Sequence, residues 1–105
     1  MRKARVNINN EKLQTSAEIL RALAHPLRLK ILSFIDQNGT INVNKIYNTL
    51  KLEQSITSQH LRILRMAGLV GTQRDGEFIH YSIEYRKIAN AVKAINKFLD
   101  EDEEG

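Results

Sequence analysis

The side chains in this 105-residue chain with the most to offer chemically lie close together, between positions 54 and 65. At helical spacing, Gln54, Ser55, Ser58, Arg62 and Arg65 fall on the side away from a stripe of Thr57, Leu61, Leu64 and Ile63, and all five are polar or basic. Amides and hydroxyls on such a face exchange hydrogen bonds, and guanidinium groups pair with anions. That chemistry is recognition of a polar, anionic partner. A merely solvated outer face is the alternative reading of the same residues. Other chemistries lack their parts. The chain has no cysteine, so disulfides, thiolate metal sites and thiol redox switches are excluded. His25, His60 and His80 lie on three different segments without metal-ligand spacing. No phosphate-binding glycine loop and no nucleophile paired with a base at a recognisable spacing occurs, so neither enzymatic activity nor a cofactor is expected.

Charge points the same way. Sixteen Lys and Arg face twelve acids for a net charge of +4, but five of those acids form the run Asp100-Glu101-Asp102-Glu103-Glu104. Residues 1–99 therefore hold sixteen basic residues against seven acids, a formal +9. A body this basic calls for a polyanionic partner. With 42% hydrophobic and 27% charged residues the composition fits one ordinary globular domain with a modest core, for which dimerisation is one way to bury more surface. No apolar run approaches bilayer length, and Met1-Arg2-Lys3-Ala4-Arg5 leads into polar residues instead of a signal-peptide core. A cytoplasmic protein without a membrane partner is expected.

The elements that must position the 54–65 face can be read from periodicity and punctuation. Residues 1–10 lack a pattern and predict a mobile arm. Leu13, Ala17, Leu20 and Leu23 recur at helical spacing over Glu11 to Ala24. His25-Pro26 breaks that helix and starts a second, with Leu27, Ile31, Leu32, Phe34 and Ile35 inward, ending at Asn38-Gly39. Asn42 caps a short helix from Val43 to about Leu50, with Val43, Ile46 and Leu50 inward. After a three-residue turn the polar-faced helix runs from Gln54 to Ala67 and closes at Gly68. Residues 69–74 and 77–83 are β-rich and joined by Asp75-Gly76, a hairpin signal. A last helix spans Tyr85 to Leu99, with Ile88, Val92, Ile95 and Leu99 spaced as a seam. The terminal acids over 100–105 predict a disordered tail, leaving 11–99 as the domain.

The resulting architecture is mainly α with a small β-hairpin wing, in the order ααααββα. A short helix, a turn, a longer polar-faced helix and a hairpin form the layout of a winged helix-turn-helix, in which the longer helix can lie in the major groove of duplex DNA. The seams at 13/17/20 and 88/92/95/99 are either ordinary core or an interface between two copies. A chain this small cannot cover two amphipathic terminal helices by itself, which favours a homodimer paired through its first and last helices.

Three separated segments resemble a known family: Ala22-Leu23-Ala24-His25-Pro26-Leu27-Arg28-Leu29-Lys30-Ile31-Leu32, then Gln54-Ser55-Ile56-Thr57-Ser58-Gln59-His60-Leu61-Arg62-Ile63-Leu64, then Ala67-Gly68-Leu69-Val70. In this order and spacing they look like the signature of the ArsR/SmtB (arsenic-repressor-like) regulators, with the similarity covering most of residues 13–99. The resemblance implies a dimeric repressor that binds double-stranded DNA at an inverted-repeat operator through the 54–67 helix. It places Gln54, Ser55, Ser58 and Gln59 facing bases, His60 and Arg62 near bases or phosphates, and Arg74 on the wing beside the DNA backbone. A glutamine amide can bond two edges of an adenine, and serines fit close under a groove floor.

Several positions carry a second reading or depart from the family. His60 is alternatively a partly buried histidine bonded to backbone, His80 packs or pairs across the hairpin, and Arg65 is a surface residue near the phosphates. The family's cysteine positions at the third helix are Asn42 and Asn44 here. Its metal pattern in the last helix falls on Tyr85, Lys87, Phe98 and Glu101, of which only Glu101 is a ligand type, so no family-type metal sensing is expected. Glu77 stands after the wing turn where a basic residue is common, shifting backbone contact toward Arg74. Glu53 stands where a serine would cap the reading helix. The competing function is a winged-helix module for protein contacts that binds no DNA. The sequence names neither operator nor effector.

Overall fold

The computed structural model describes residues 7–104, with side chains through position 100. Much of the arm expected over 1–10 falls outside the described residues. Within them, Asn9 is the N-cap of α1 (Asn10–Leu23), its side-chain oxygen accepting the Lys12 N–H at 3.0 Å. His25 takes the cap position of α2 (Pro26–Asn38) in extended conformation, its Nδ1 accepting the Leu27 N–H at 3.1 Å while Pro26, which has no N–H to satisfy, opens the helix. The corner between α1 and α2 is therefore built from the His25-Pro26 pair itself. Gly39, at φ 74°, lets the chain leave α2 in a backbone region that costs other residues dearly.

A strand absent from the sequence reading follows. β1 (Thr40–Asn42) pairs antiparallel with β3, Ile41 opposite Tyr81. Three residues are too few to display alternation, and their partner lies some forty positions away. Asn42 ends the strand and caps α3 (Val43–Leu50), accepting the Lys45 N–H at 2.9 Å. Lys51, in left-handed conformation, turns the chain toward α4 (Gln54–Met66). β2 (Val70–Asp75) and β3 (Phe78–Ile83) form the hairpin, and the sheet order is β1-β3-β2. Asp75 pairs with Phe78, so the two turn residues are Gly76 and Glu77, one position later than the Asp-Gly reading placed them. Gly76 supplies the positive φ that a tight hairpin needs at its first turn position. α5 (Tyr85–Glu104) runs five residues past the end read from the seam, through the acids at 100–104.

The core gathers Ile31 and Ile35 of α2, Ile41 of β1, Ile46 of α3, Leu61 and Leu64 of α4, and Leu69, Val70 and Ile83 around the hairpin base. Thr57 is the one buried polar residue described; its hydroxyl donates to the Glu53 carbonyl at 2.9 Å, which removes the cost of burying it. Ile63, read as part of the buried stripe of α4, is instead 37% exposed. Two residues from Leu61 is roughly 200° around a helix, which carries Ile63 out of the Leu61–Leu64 face. Among the described residues no helix is long and apolar enough to cross a membrane.

Candidate nucleic-acid interface

α3, the turn over 51–53 and α4 form a helix-turn-helix, and the core contacts of Thr57, Leu61 and Leu64 decide which way α4 faces. With that stripe inward, Gln54, Ser55, Ser58, Gln59, Arg62 and Arg65 are all exposed. The first two turns thus present amides and hydroxyls, and the guanidinium groups follow further along the helix. Glu53 occupies the N-cap without a side-chain hydrogen bond, so the amide groups of the first turn receive no side-chain cap from it.

The wing is placed by the same core. Val70 and Ile83 pair at the buried base of the hairpin, and side chains two apart along a strand share a face, so Thr72 and Arg74 continue the face on which Val70 packs against the helices. Arg74, opposite Ile79, is exposed near the hairpin tip. His80 is half-buried in the middle of β3, paired with Gln73 on one side and Asn42 on the other.

His60 is set apart from its neighbours on α4. It is half-buried, with its ring centroid 4.7 Å from that of His25, and its Nδ1 lies 3.3 Å from an Arg28 guanidinium nitrogen. Arginine can only donate, so the His60 Nδ1 must accept and the ring is held neutral. Burial first, then the neighbouring His25 and Arg28, holds His60 below the usual histidine range. Its partner is a side chain, not the backbone partner weighed from sequence.

Arg28 is the residue that sequence reasoning passed over. Besides His60 it donates to the Ala22 carbonyl at 2.7 Å and to the Arg21 carbonyl at 2.8 Å. Those carbonyls belong to the last turn of α1 and have no partner within the helix. One guanidinium thereby ties the end of α1, the start of α2 and the face of α4 together. The available signal was an arginine two residues after His-Pro, set between Leu27 and Leu29.

The positions where a metal would be sought do other work. The Asn42 side chain caps α3. The Tyr85 hydroxyl donates to Asp36 Oδ1 at 2.6 Å, a bond that pushes the phenol above its usual range. The Lys87 side chain lies against Gly68, its Cε 3.6 Å from where a β-carbon would sit. Among the described residues no three histidines or carboxylates come together, and no buried side-chain nitrogen or oxygen lacks a partner. Asn42, Tyr85 and Lys87 do not fit a metal, and the side chain of Glu101 lies outside those described.

Residues 25–72 match the family described as bacterial regulatory protein, arsR family. That span runs from the His25 corner through the helix-turn-helix to the first strand of the wing. An uncharacterized HTH-type transcriptional regulator of Methanocaldococcus jannaschii is 40% identical over 91 residues, covering 87% of this chain and 98% of that protein. The transcriptional repressor PagR of Bacillus anthracis is 39% identical over 84 residues, 80% of this chain and 84% of PagR. The crystal structure of PagR superposes with a TM-score of 0.68 over 84% of this chain and 100% of the crystallised PagR chain. NolR of Sinorhizobium fredii superposes with a TM-score of 0.71 at 32% identity, over 89% of this chain and 95% of NolR.

Proposed function

Because the chain belongs to the arsR family of bacterial regulatory proteins, which are DNA-binding transcriptional regulators and not enzymes, we propose that it represses transcription by binding an inverted-repeat operator as a homodimer. The observation that carries this reading is the division of side chains over one surface. Gln54, Ser55, Ser58 and Gln59 are exposed on the first two turns of α4 and are uncharged hydrogen-bonding groups suited to base edges. Arg62 and Arg65 further along α4, and Arg74 on the wing, are exposed cations suited to phosphates. His60 serves the site by holding α4 in place, since its Nδ1 is already engaged by Arg28.

Dimerisation is supported by what the monomer leaves uncovered. Leu13, Leu20, Val92 and Leu99 are exposed, while Ala17, Ile88 and Ile95 are half-buried. A groove of about 630 Å³ between α1 and α5 is lined by Leu20, Ile95 and Leu99 among others. Apolar surface of this extent is unfavourable in water, and a second copy offers the same seams across a two-fold axis. A two-fold dimer presents two α4 helices to half-sites about 34 Å apart along the duplex, hence an inverted repeat. Such a regulator works in the cytoplasm, where its operator is.

The test is selection of genomic fragments by the purified protein, followed by titration of the best fragment at two salt concentrations. An inverted repeat bound by a dimer, with affinity falling steeply as salt rises, is the expected result. A folded dimer that enriches no sequence, and instead forms a salt-insensitive complex with another protein, would replace this reading with that of a protein-contact module.

A further inference from the structure

We propose that Lys51, in the turn between α3 and α4, contacts a DNA phosphate at the edge of the major groove, and that a lysine is held there in a strained backbone conformation for that purpose. The inference rests on the reading of α4 as the base-facing helix. Lys51 closes α3 at φ 56° and ψ 50°, its N–H donating to the Tyr47 carbonyl, and its side chain is exposed. Among the described residues it is the one non-glycine at positive φ; Gly39, Gly68 and Gly76 fill the other such positions. A β-carbon in this region crowds the following carbonyl oxygen, which is why helix ends of this kind ordinarily carry glycine. Glycine at 51 would relieve the turn, so the lysine brings something that the fold alone does not need. Its charge at the end of α3 returns only part of the cost, because an exposed cation interacts weakly with a helix dipole.

Position and charge supply the rest. In a helix-turn-helix the first helix crosses the DNA backbone while the start of the second reaches base edges. Lys51 stands between the two, three residues before Gln54, where the phosphates that flank the groove would lie. Between Lys45 and Arg62 it is the only lysine or arginine in the chain. Gln54, Ser55, Ser58 and Gln59 are uncharged, Glu53 is anionic, and Arg62 begins about 12 Å further along the helix axis than Gln54. The turn lysine is therefore the cation placed to offset repulsion between Glu53 and the phosphates beside the base-facing turns.

Urea unfolding, and titration of the operator recovered by selection, compare Lys51→Gly and Lys51→Arg with the wild type. Lys51→Gly should be the more stable protein, with an unfolding constant lower by about fivefold, and yet the weaker binder. Its affinity should fall alike for every sequence, with base preference unchanged and the dependence of log affinity on log salt reduced by about 0.9 for each half-site. Lys51→Arg keeps both the charge and the β-carbon and should match the wild type in stability and in salt dependence. A Lys51→Gly protein with wild-type affinity and salt dependence would overturn the assignment. So would one that unfolds more readily than the wild type, since the lysine would then serve the turn itself, or one that loses base preference at a single position. Failure of the wild type to bind any duplex is a separate result, and it overturns the operator-binding reading and this one together.

Discussion

The Arg28 guanidinium lies 3.3 Å from His60 Nδ1 while its other nitrogens hold the Ala22 and Arg21 carbonyls, so one side chain of α2 joins the end of α1 to α4, the helix proposed to face bases. The two partners are 32 residues apart in sequence. The orientation of α4 thus depends on this junction as well as on the apolar stripe beneath it.

Replacing Arg28 by alanine should lower stability by about 2 kcal/mol, because it removes charge-assisted hydrogen bonds and leaves two helix-end carbonyls without this donor. Lysine should recover less than half of that, since one ammonium cannot reproduce the fork that spans three acceptors. Urea denaturation of the two variants against the wild type measures both quantities. A loss no larger than that of an ordinary surface substitution would show that the junction contributes little.

His60 makes stability depend on pH in a stated direction. Its pKa in the folded protein is below the 6.5 of the unfolded chain, so between the two values the unfolded state binds more protons and stability rises with pH. The contribution is complete above pH 6.5 and is lost as the pH falls toward the lowered folded value. Urea unfolding of the wild type should therefore lose stability from neutral to mildly acidic pH more steeply than unfolding of His60→Gln, whose amide oxygen can still accept from Arg28. Parallel profiles for the two proteins would remove His60 as the cause.

Residues proposed to face bases and residues proposed to face phosphates should fail differently. Arg74→Ala should weaken binding to all sequences alike and reduce the dependence of log affinity on log salt by about 0.9, one phosphate's worth. Gln54→Ala should relax base preference at one position per half-site, by about 1 to 3 kcal/mol of discrimination, and leave the salt dependence unchanged. Binding titrations against an operator series at several salt concentrations separate the two signatures.

The terminal seams should be the dimer contact. Val92→Glu places a charge on the exposed face of α5, where it would lie in the apolar contact between copies. Sedimentation should show a monomer whose helical content matches the wild type, and operator affinity should fall together with dimerisation. A Val92→Glu chain that still sediments as a dimer would move the interface elsewhere.

Much of the architecture was legible because it is written locally. Apolar residues at helical spacing mark all five helices, Asn42 and His25-Pro26 mark starts, and Gly39, Gly68 and Gly76 mark exits. The polar face of α4 was visible for the same reason: once Leu61 and Leu64 point inward, the helical repeat assigns Ser55 and Arg62 to the other side. Boundaries were less secure. The reach of α5 to Glu104 was missed because the apolar seam ends at Leu99 and polar residues carry no periodic signal of their own.

The sequence by itself determined the order of helices and hairpin, the corner at His25-Pro26 and the exposure of Gln54, Ser55, Ser58 and Arg62, since caps, turns and helical repeat act over a few residues. Only the tertiary structure decided that Thr40–Asn42 forms a third strand, that Arg28 holds His60, and that Tyr85 bonds Asp36 across 49 residues. Each of those joins segments far apart in the chain. Their partners are set by how the helices and sheet pack, and no short-range pattern records the angle at which they meet.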